Sequence, residues 1–186
     1  MLHTFWHNAS CHRELFQIDT ELAERTREVG CPHCGGRLHR ANYPRLGFGV
    51  PASCRHWYAF RFSFCCGRCR RRRTPPSVRF FGRRRFVSSI FVLLSALRVS
   101  IGERHCHWLQ RRLRVPVSLS TWQRWRRFWQ RRFVHSAFWQ QARASVTVPS
   151  GAVLPRALLA AFAAPVLWQR LVLLLRFVSP LSCAVI

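Results

Sequence analysis

The stretches CPHCGG at 31–36 and CGRC at 66–69 decide how the first half of this chain is expected to fold. Two C-x-x-C pairs, or knuckles, about thirty residues apart can supply four thiolates to one tetrahedral zinc ion, so Zn2+ is the expected cofactor. The neighbouring glycines suit tight turns because glycine accepts positive φ. Disulfides or other structural cysteines are the alternative. We predict a small β zinc ribbon with the ligands Cys31, Cys34, Cys66 and Cys69.

One ligand of the second knuckle is ambiguous because Cys65 directly precedes Cys66. We prefer Cys66, since it restores the two-residue spacing of the knuckle. Four other nearby side chains are candidate substitute ligands: Cys54, His33, His39 and His56.

The charge of the chain points to a polyanionic partner. All 31 basic residues are arginine and only six residues are acidic, which gives a formal charge of +25. The planar guanidinium suits phosphates and guanine edges, so nucleic acid is the natural partner, and an anionic membrane is the other candidate. After Glu28 the only acid is Glu103, which excludes a carboxylate-held two-metal centre in that part of the chain.

Cysteine usage suggests the compartment. The chain has nine cysteines, and its first residues lack the apolar core of a secretory signal. This combination favours a reducing compartment and metal binding over disulfides. We therefore expect a cytoplasmic, nucleoid-associated protein.

The first half of the chain alternates helical and extended patterns. Residues 14–28 predict a helix that Gly30 ends, and residues 1–13 predict a flexible or locally packed start. The alternating aromatics of 57–64 predict a ribbon strand whose rings cover a small core rather than stack on bases. Residues 70–85 predict an extended basic connector that contacts phosphate, with a disordered solvated run as the alternative.

The second half predicts a helical module. Residues 86–98 and 102–113 predict two helices, and the second is expected to bury Trp108, Leu109 and Leu113. A third helix is expected to start at a capping box formed by Ser120 and Gln123. It carries an apolar stripe of Trp122, Trp125, Trp129 and Phe133.

A basic face runs along this third helix. A short turn followed by a helix with a basic outer face is typical of a helix-turn-helix, whose second helix enters the major groove, although an ordinary solvated arginine face gives the same spacing. We predict base-edge contacts from Gln123, Arg124, Arg126 and Arg127. Phosphate contacts are predicted for Arg70, Arg71, Arg72, Arg73, Arg83, Arg84 and Arg85.

The predicted fold class is α+β, a zinc ribbon followed by a mainly α-helical helix-turn-helix module and an apolar helical tail. The apolar stretches of the tail are shorter than a membrane span and predict one or two packed helices, with a membrane-associated hairpin as the minority alternative. The predicted segments are an N-terminal helix at 1–30, the ribbon with its basic extension at 31–85, the helix-turn-helix module at 86–140, and the linker and tail at 141–186.

Three blocks resemble the small zinc-ribbon proteins encoded with bacterial insertion-sequence transposases. They are CPHCGGRLHRANYPR at 31–45, FSFCCGRCRRRRTPPSVRFFGRR at 62–84, and SLSTWQRWRRFWQ at 118–130. The resemblance implies binding to duplex DNA at transposon ends through zinc ribbon and helix-turn-helix. It does not imply strand transfer by this polypeptide, because full-length transposases carry an acidic triad for which this chain has no place after residue 28.

We therefore expect a zinc-dependent, transposase-related DNA-binding protein that is not itself an enzyme. A separate catalytic transposase subunit would supply the chemistry, and a membrane partner is not expected. The alternatives are an RNA-binding or ribosome-associated zinc-ribbon protein and a degenerate, non-functional transposase remnant. A catalytic transposase would be revealed by metal-dependent cleavage by the purified chain.

Overall fold

The chain forms two compact units in a computed structural model of mixed α and β structure. We call residues 7–87 with 176–183 the cysteine unit, and residues 88–175 the helical unit. The structure describes residues 7–82, 85–96, 102–113 and 115–183.

The first helix of the cysteine unit, α1, spans Ala9–Val29. The Asn8 side chain caps it by accepting a hydrogen bond from the Ser10 amide at 3.0 Å. Gly30 ends it with a φ of 79°, a conformation that glycine adopts without strain. The helix predicted for 14–28 begins earlier, at Ala9. Of the two expectations for residues 1–13, local packing is confirmed at His12, which is fully buried and shares a hydrogen bond with the Tyr58 hydroxyl at 2.9 Å.

Two small antiparallel sheets follow α1. Strands β1 (Leu38–Arg40), β4 (Phe64–Cys66) and β5 (Arg72–Arg73) form one sheet in the order β1-β4-β5. Strands β2 (Tyr43–Pro44) and β3 (Phe60–Arg61) form the other, and a 3-10 helix at Ala52–Tyr58 lies between them in sequence. The register of β1 against β4 pairs Leu38 with Cys66 and His39 with Cys65.

The aromatic residues before the second knuckle belong to the core. Phe62 and Phe64 are buried together with Ala23 of α1 and Leu38 of β1, and Phe16 packs against this cluster. Their predicted role as a core rather than a base-stacking surface is confirmed for these two rings. The metal-ligand candidates Cys31 and Cys66 are part of the same cluster.

The predicted basic connector is wrong for residues 77–81, which are buried. The cause is Asp19 on α1, itself fully buried. Its carboxylate accepts hydrogen bonds from the Ser77 hydroxyl at 2.5 Å, the Val78 amide at 2.6 Å and Nε of Arg79 at 2.7 Å. This charge partner lets a segment that contains an arginine enter the core, because a buried charge must be paired and hydrogen-bonded.

The helical unit is built mainly from helices. Its elements are α2 (Ser88–Ser95), α3 (Glu103–Leu113), α4 (Leu119–Arg127) with a π-helical continuation at Phe128–Phe133, α5 (Ala137–Ala142), a 3-10 turn at Arg143–Ser145, α6 (Arg156–Ala161) and α7 (Leu167–Val178). The last residues of α7 and the 3-10 turn Ser179–Cys183 belong to the cysteine unit. None of the helices within the described residues has the length and apolar character to cross a membrane.

The predicted aromatic stripe of α4 is confirmed as the core of the helical unit. The ring of Phe91 on α2 stacks on Trp129 at a centroid distance of 5.3 Å and meets Trp125 edge-on at 5.6 Å. The indole nitrogen of Trp122 donates to the Leu94 carbonyl oxygen at 2.9 Å, which ties α4 to α2. Phe133 completes the buried stripe.

Two details of this unit differ from the prediction. The N-cap of α4 is Ser118, whose hydroxyl accepts from the Thr121 amide at 3.2 Å, so Ser120 lies inside the helix and the predicted capping box is wrong. Trp108 is 50% exposed instead of buried, whereas Leu109 is buried as expected. The side chain of Leu113 lies outside the described part.

Candidate metal centre and arginine surfaces

The two knuckles have the same backbone geometry. In the first, the Gly35 amide donates to the Cys31 carbonyl oxygen at 2.9 Å, and in the second the Arg70 amide donates to the Cys66 carbonyl oxygen at 3.0 Å. The residue that closes each turn has a positive φ, 66° at Gly35 and 58° at Arg70. Arginine in this left-handed conformation is strained relative to glycine. The second knuckle therefore adopts the backbone shape of the first although Arg70 disfavours it.

A second pair of hydrogen bonds repeats between the knuckles. The amide of Cys31 donates to the Gly36 carbonyl oxygen at 3.0 Å, and the amide of Cys66 donates to the Arg71 carbonyl oxygen at 2.9 Å. Each C-x-x-C loop is thereby closed on itself by two backbone hydrogen bonds. The equivalence explains why both loops present their sulfurs in the same way.

The four predicted ligands lie together. The Sγ atoms of Cys31 and Cys69 are 3.5 Å apart, as are those of Cys34 and Cys66, and all four lie within 4.8 Å of one another. A tetrahedral zinc ion with Zn–S bonds of about 2.3 Å requires sulfurs about 3.8 Å apart, so the cluster has the size for one such ion. Within the described residues this is the one group of three or more Cys, His, Asp or Glu side chains able to hold a metal ion.

Cys66 is the residue of the cysteine pair that faces the cluster. Because adjacent residues of a strand point to opposite faces, Cys65 on β4 points away, and its thiol donates to the Arg70 carbonyl oxygen at 3.4 Å. The candidate substitute ligands Cys54, His33, His39 and His56 are not members of the cluster.

Backbone amides favour the thiolate form at two of the sulfurs. Hydrogen bonds from the amides of His33 and Cys34 lower the pKa of Cys31 against the desolvation that raises it. The amide of Cys69, 3.5 Å from Sγ of Cys66, is the main cause that lowers the pKa of Cys66 to about 6.

Cys69 differs from Cys31 and Cys66, because its surroundings raise the pKa of its thiol. The amide of Arg71 lowers its pKa, but desolvation and hydrogen bonds to the other sulfurs outweigh that effect and raise the pKa to about 12. Crowded thiols do not all ionise without a cation between them, because like charges repel. A metal cation among the four sulfurs would offset this repulsion and favour four thiolates.

Gly36 lets the backbone of the first knuckle lie close to the sulfurs of the cluster. A Cβ atom on Gly36 would lie 3.0 Å from Sγ of Cys66 and 3.3 Å from Sγ of Cys34. A Cβ atom on Gly67 would lie 2.9 Å from Nε2 of His39. The contacts at Gly36 are tighter than ordinary van der Waals packing, so the backbone lies close to the sulfurs there, whereas the contact at Gly67 is with the end of the His39 side chain.

The arginine run leaves the second knuckle directly. Arg70, Arg71, Arg72 and Arg73 are all exposed, and the last two form the edge strand β5. Nη1 of Arg71 donates to Nδ1 of His33 at 3.0 Å, which connects the run to the first knuckle. The sequence suggested His33 only as a substitute metal ligand, and its contact with the arginine run was missed. The one signal for that contact was that His33 lies inside a knuckle, close to the place where the other knuckle leads into the run.

The remaining predicted phosphate contacts are only partly described. Arg85 is exposed, and its guanidinium carbon lies 4.2 Å from the centroid of the Phe48 ring. Arg83 and Arg84 lie outside the described residues.

The predicted base-reading residues lie on the outer side of α4. Gln123, Arg124 and Arg127 are exposed, and Nη2 of Arg124 donates to the Thr121 hydroxyl at 3.0 Å. Arg126 is half-buried, because its guanidinium carbon lies 4.9 Å from the ring centroid of Trp122. The two exposed arginines thus have more freedom to reach a ligand than Arg126.

Comparisons with protein-family models, with curated proteins and with solved structures find no match for this chain. The resemblance to insertion-sequence proteins stays a prediction.

Proposed function

We propose that this chain is a zinc-dependent DNA-binding protein in which the cysteine cluster fixes a surface of arginines for the phosphate backbone. One observation carries the proposal: the exposed run Arg70–Arg73 begins at the residue after the last cysteine of a four-thiol cluster. A structural metal there would hold the start of the run in one conformation. Four guanidinium groups held close together repel one another, so the run favours an anion that neutralises them.

Zinc is the metal that this donor set favours. Four thiolates at tetrahedral spacing suit Zn2+ or an iron–sulfur centre, and two knuckles joined by a small sheet are typical of structural zinc sites. The cluster also forms part of the core of the cysteine unit, through Cys31 and Cys66. Metal binding and folding of this unit are therefore coupled in the proposal.

The proposed architecture is a zinc ribbon followed by a helix-turn-helix module. Helix α4 would lie in the major groove, where its exposed Gln123, Arg124 and Arg127 can reach base edges while its aromatic stripe stays packed on α2. The two surfaces would divide the work, because phosphate contacts position a protein on DNA and base contacts specify the sequence.

The proposed biological role is transposase-related, at transposon ends or similar duplex DNA in the bacterial cytoplasm. After Glu28 the sequence offers a single carboxylate, Glu103, which is too few to hold the metal ions of strand transfer. A separate catalytic subunit would supply that chemistry.

The test compares two double variants that remove the same charge. Arg71→Ser with Arg72→Ser removes two cations from the run, and Arg25→Ser with Arg27→Ser removes two exposed cations from α1. We expect the first to weaken duplex binding about tenfold or more and to lower the slope of log K against log salt by about two, and the second to change little. Equal losses in both would mean that only net charge matters. Tighter binding to RNA hairpins than to duplex would favour the RNA-binding alternative.

Sequence reading by α4 has its own test. Arg124→Ala should reduce the preference for a selected duplex over a random one by about 1–3 kcal/mol, because a bidentate contact to a base would be lost. Arg132→Ala, which removes another exposed arginine of the helical unit, is the matched control. A uniform loss of affinity in the Arg124 variant, with the preference intact, would contradict the assignment of α4 as the reading helix.

A further inference from the structure

An open cleft of about 690 Å³ lies in the cysteine unit beside strand β2. Its walls come from the stretch 43–48, from Ala59 and from Arg85. Backbone hydrogen bonds fix these walls: the Arg45 amide donates to the Ala59 carbonyl oxygen at 3.0 Å, and the Phe48 amide donates to the Arg85 carbonyl oxygen at 2.9 Å. The cleft is therefore held open by the backbone of three separate segments.

Two aromatic rings of the cleft are each approached by a guanidinium. Arg85 lies over Phe48, with its carbon 4.2 Å from the ring centroid, and Arg72 of the arginine run lies 6.0 Å from the centroid of Tyr43. Tyr43 and Phe48 are only half-buried. Leu46, between them in sequence, is 80% exposed at the same cleft. Flat rings and guanidinium planes at an open surface are the platforms on which unpaired bases stack.

The positive charge of the cleft favours an anionic ligand. Among the described residues that line it, Arg45 and Arg85 are basic and none is acidic. Arg45 is engaged in the fold, since its Nη2 donates to the Gly82 carbonyl oxygen at 2.7 Å and its guanidinium lies over Phe80. Arg85 and Arg72 are exposed and have the reach to meet a phosphate next to the rings.

We propose that this cleft binds an unpaired nucleotide of a single-stranded segment, with the base against Tyr43 and the Phe48–Arg85 pair and its phosphate on Arg85 and Arg72. The inference rests on the proposed nucleic-acid binding and adds to it a preference for DNA with a single-stranded end or gap. A base inside a duplex cannot use the site, because both of its faces are covered by its neighbours. Arg72 would connect the two surfaces, since it belongs to the run that contacts duplex phosphates.

The experiment measures binding of the zinc-loaded full chain to three forms of one duplex. The first is blunt, the second carries a short thymidine overhang, and the third carries an overhang of equal length made of abasic nucleotides. The thymidine overhang should tighten binding about tenfold over the blunt form, because stacking of each base contributes a factor of that order. The abasic overhang, which keeps the phosphates and lacks the bases, should recover only a small part of the gain.

Two variants remove stacking while keeping apolar volume: Tyr43→Leu and Phe48→Leu. Each should abolish most of the gain from the thymidine overhang and leave blunt-duplex affinity and zinc content unchanged. Arg71→Ser, whose side chain is bound to His33 outside the cleft, is the matched control and should weaken all three forms alike. Unchanged zinc content shows that a variant has folded, because the cysteine cluster belongs to the same unit.

A base analogue whose fluorescence falls on stacking, placed in the overhang, gives an independent readout. Its signal should fall on binding to the wild-type chain and stay constant with Phe48→Leu. Equal affinity for blunt and tailed duplex, or a gain that survives both variants, would overturn the cleft assignment while leaving the proposed function intact. Absence of binding to every form would overturn the proposed function and the cleft assignment together.

Discussion

The cysteine unit and the helical unit each expose arginines, but they hold them in different ways. In the cysteine unit the arginine run continues from a thiol cluster, and the nearby core is organised by the buried carboxylate of Asp19. In the helical unit Arg124 and Arg127 lie on a helix whose other face is packed by aromatic rings, as between Phe91 and Trp129. The first surface lies beside polar contacts and a cysteine cluster that could hold a metal ion, and the second is supported by apolar packing.

This difference has a physical origin in the size of the elements. The strands of the cysteine unit are two or three residues long, too short to form a stable sheet without further support. The helical unit brings together large rings, which bury much apolar area for each residue ordered. The two units should therefore respond to different perturbations.

Removal of the metal should have the largest effect and should be confined to the cysteine unit. A chelator, or Cys31→Ser with Cys34→Ser, should raise amide hydrogen exchange throughout β1, β4 and β5, because a structural zinc site contributes on the order of 10 kcal/mol to folding. Exchange in α2 and α4 should stay protected. Hydrogen exchange read by mass spectrometry separates the two units in one experiment, and simultaneous loss of protection in both would contradict the comparison.

Loss of the buried carboxylate of Asp19 should have the second largest effect on stability. Asp19→Asn removes the charge that pairs with Arg79 at 2.7 Å, so the cysteine unit should lose about 3–5 kcal/mol, the usual cost of leaving a buried charge without its partner. Glu21→Gln on the same helix is the control, since its pair with Arg176 is 3.8 Å long and exposed. Denaturant unfolding of the metal-loaded chain measures both. Similar effects of the two substitutions would show that the Asp19 network is not a major support.

A core substitution in the helical unit should have a smaller effect that is independent of metal. Phe91→Leu removes the ring contacts to Trp125 and Trp129 and should cost about 2 kcal/mol. Zinc content and exchange in the sheets should not change. Trp108→Leu, at a half-exposed ring, should cost little and serves as the control. Loss of metal on substitution of Phe91 would show that the stability of the cysteine unit depends on the core of the helical unit.

The smallest effect should be a stabilisation at the second knuckle. Arg70→Gly relieves a positive φ of 58° and should raise stability by about 0.5 kcal/mol, after the greater chain entropy of glycine is subtracted. Arg73→Gly, on the edge strand, should be slightly destabilising. Competition with a chelator followed by absorbance compares the two. A lower affinity for the metal in Arg70→Gly would mean that the arginine side chain itself stabilises the knuckle.

The local part of the site could be predicted from the sequence. The spacing C-x-x-C identified the four cysteines and favoured Cys66 over Cys65, and the structure brings the predicted four together. The stripe from Trp122 to Phe133 followed from helical periodicity and is buried as expected. Each knuckle and the stripe are encoded within a few residues of sequence, whereas the meeting of the two knuckles, about thirty residues apart, followed from their matching spacing.

The parts that were missed depend on contacts between distant segments. Burial of 77–81 requires Asp19, whose carboxylate meets Arg79 from sixty residues away, and no local pattern contains that pair. The open cleft likewise combines 43–48 with Arg85. The true cap of α4, Ser118, was missed because two serines compete for one position and only the backbone conformation decides between them.

The most direct test of the central claim is duplex binding measured on one sample before chelation, after chelation, and during stepwise return of zinc. The account predicts that the chain as purified contains about one zinc ion, that its removal weakens binding about tenfold or more, and that affinity returns as about one equivalent is added back. A chain that contains no zinc, or one whose affinity for DNA is unchanged when the zinc is removed, would contradict the claim that the cysteine cluster fixes the arginine surface.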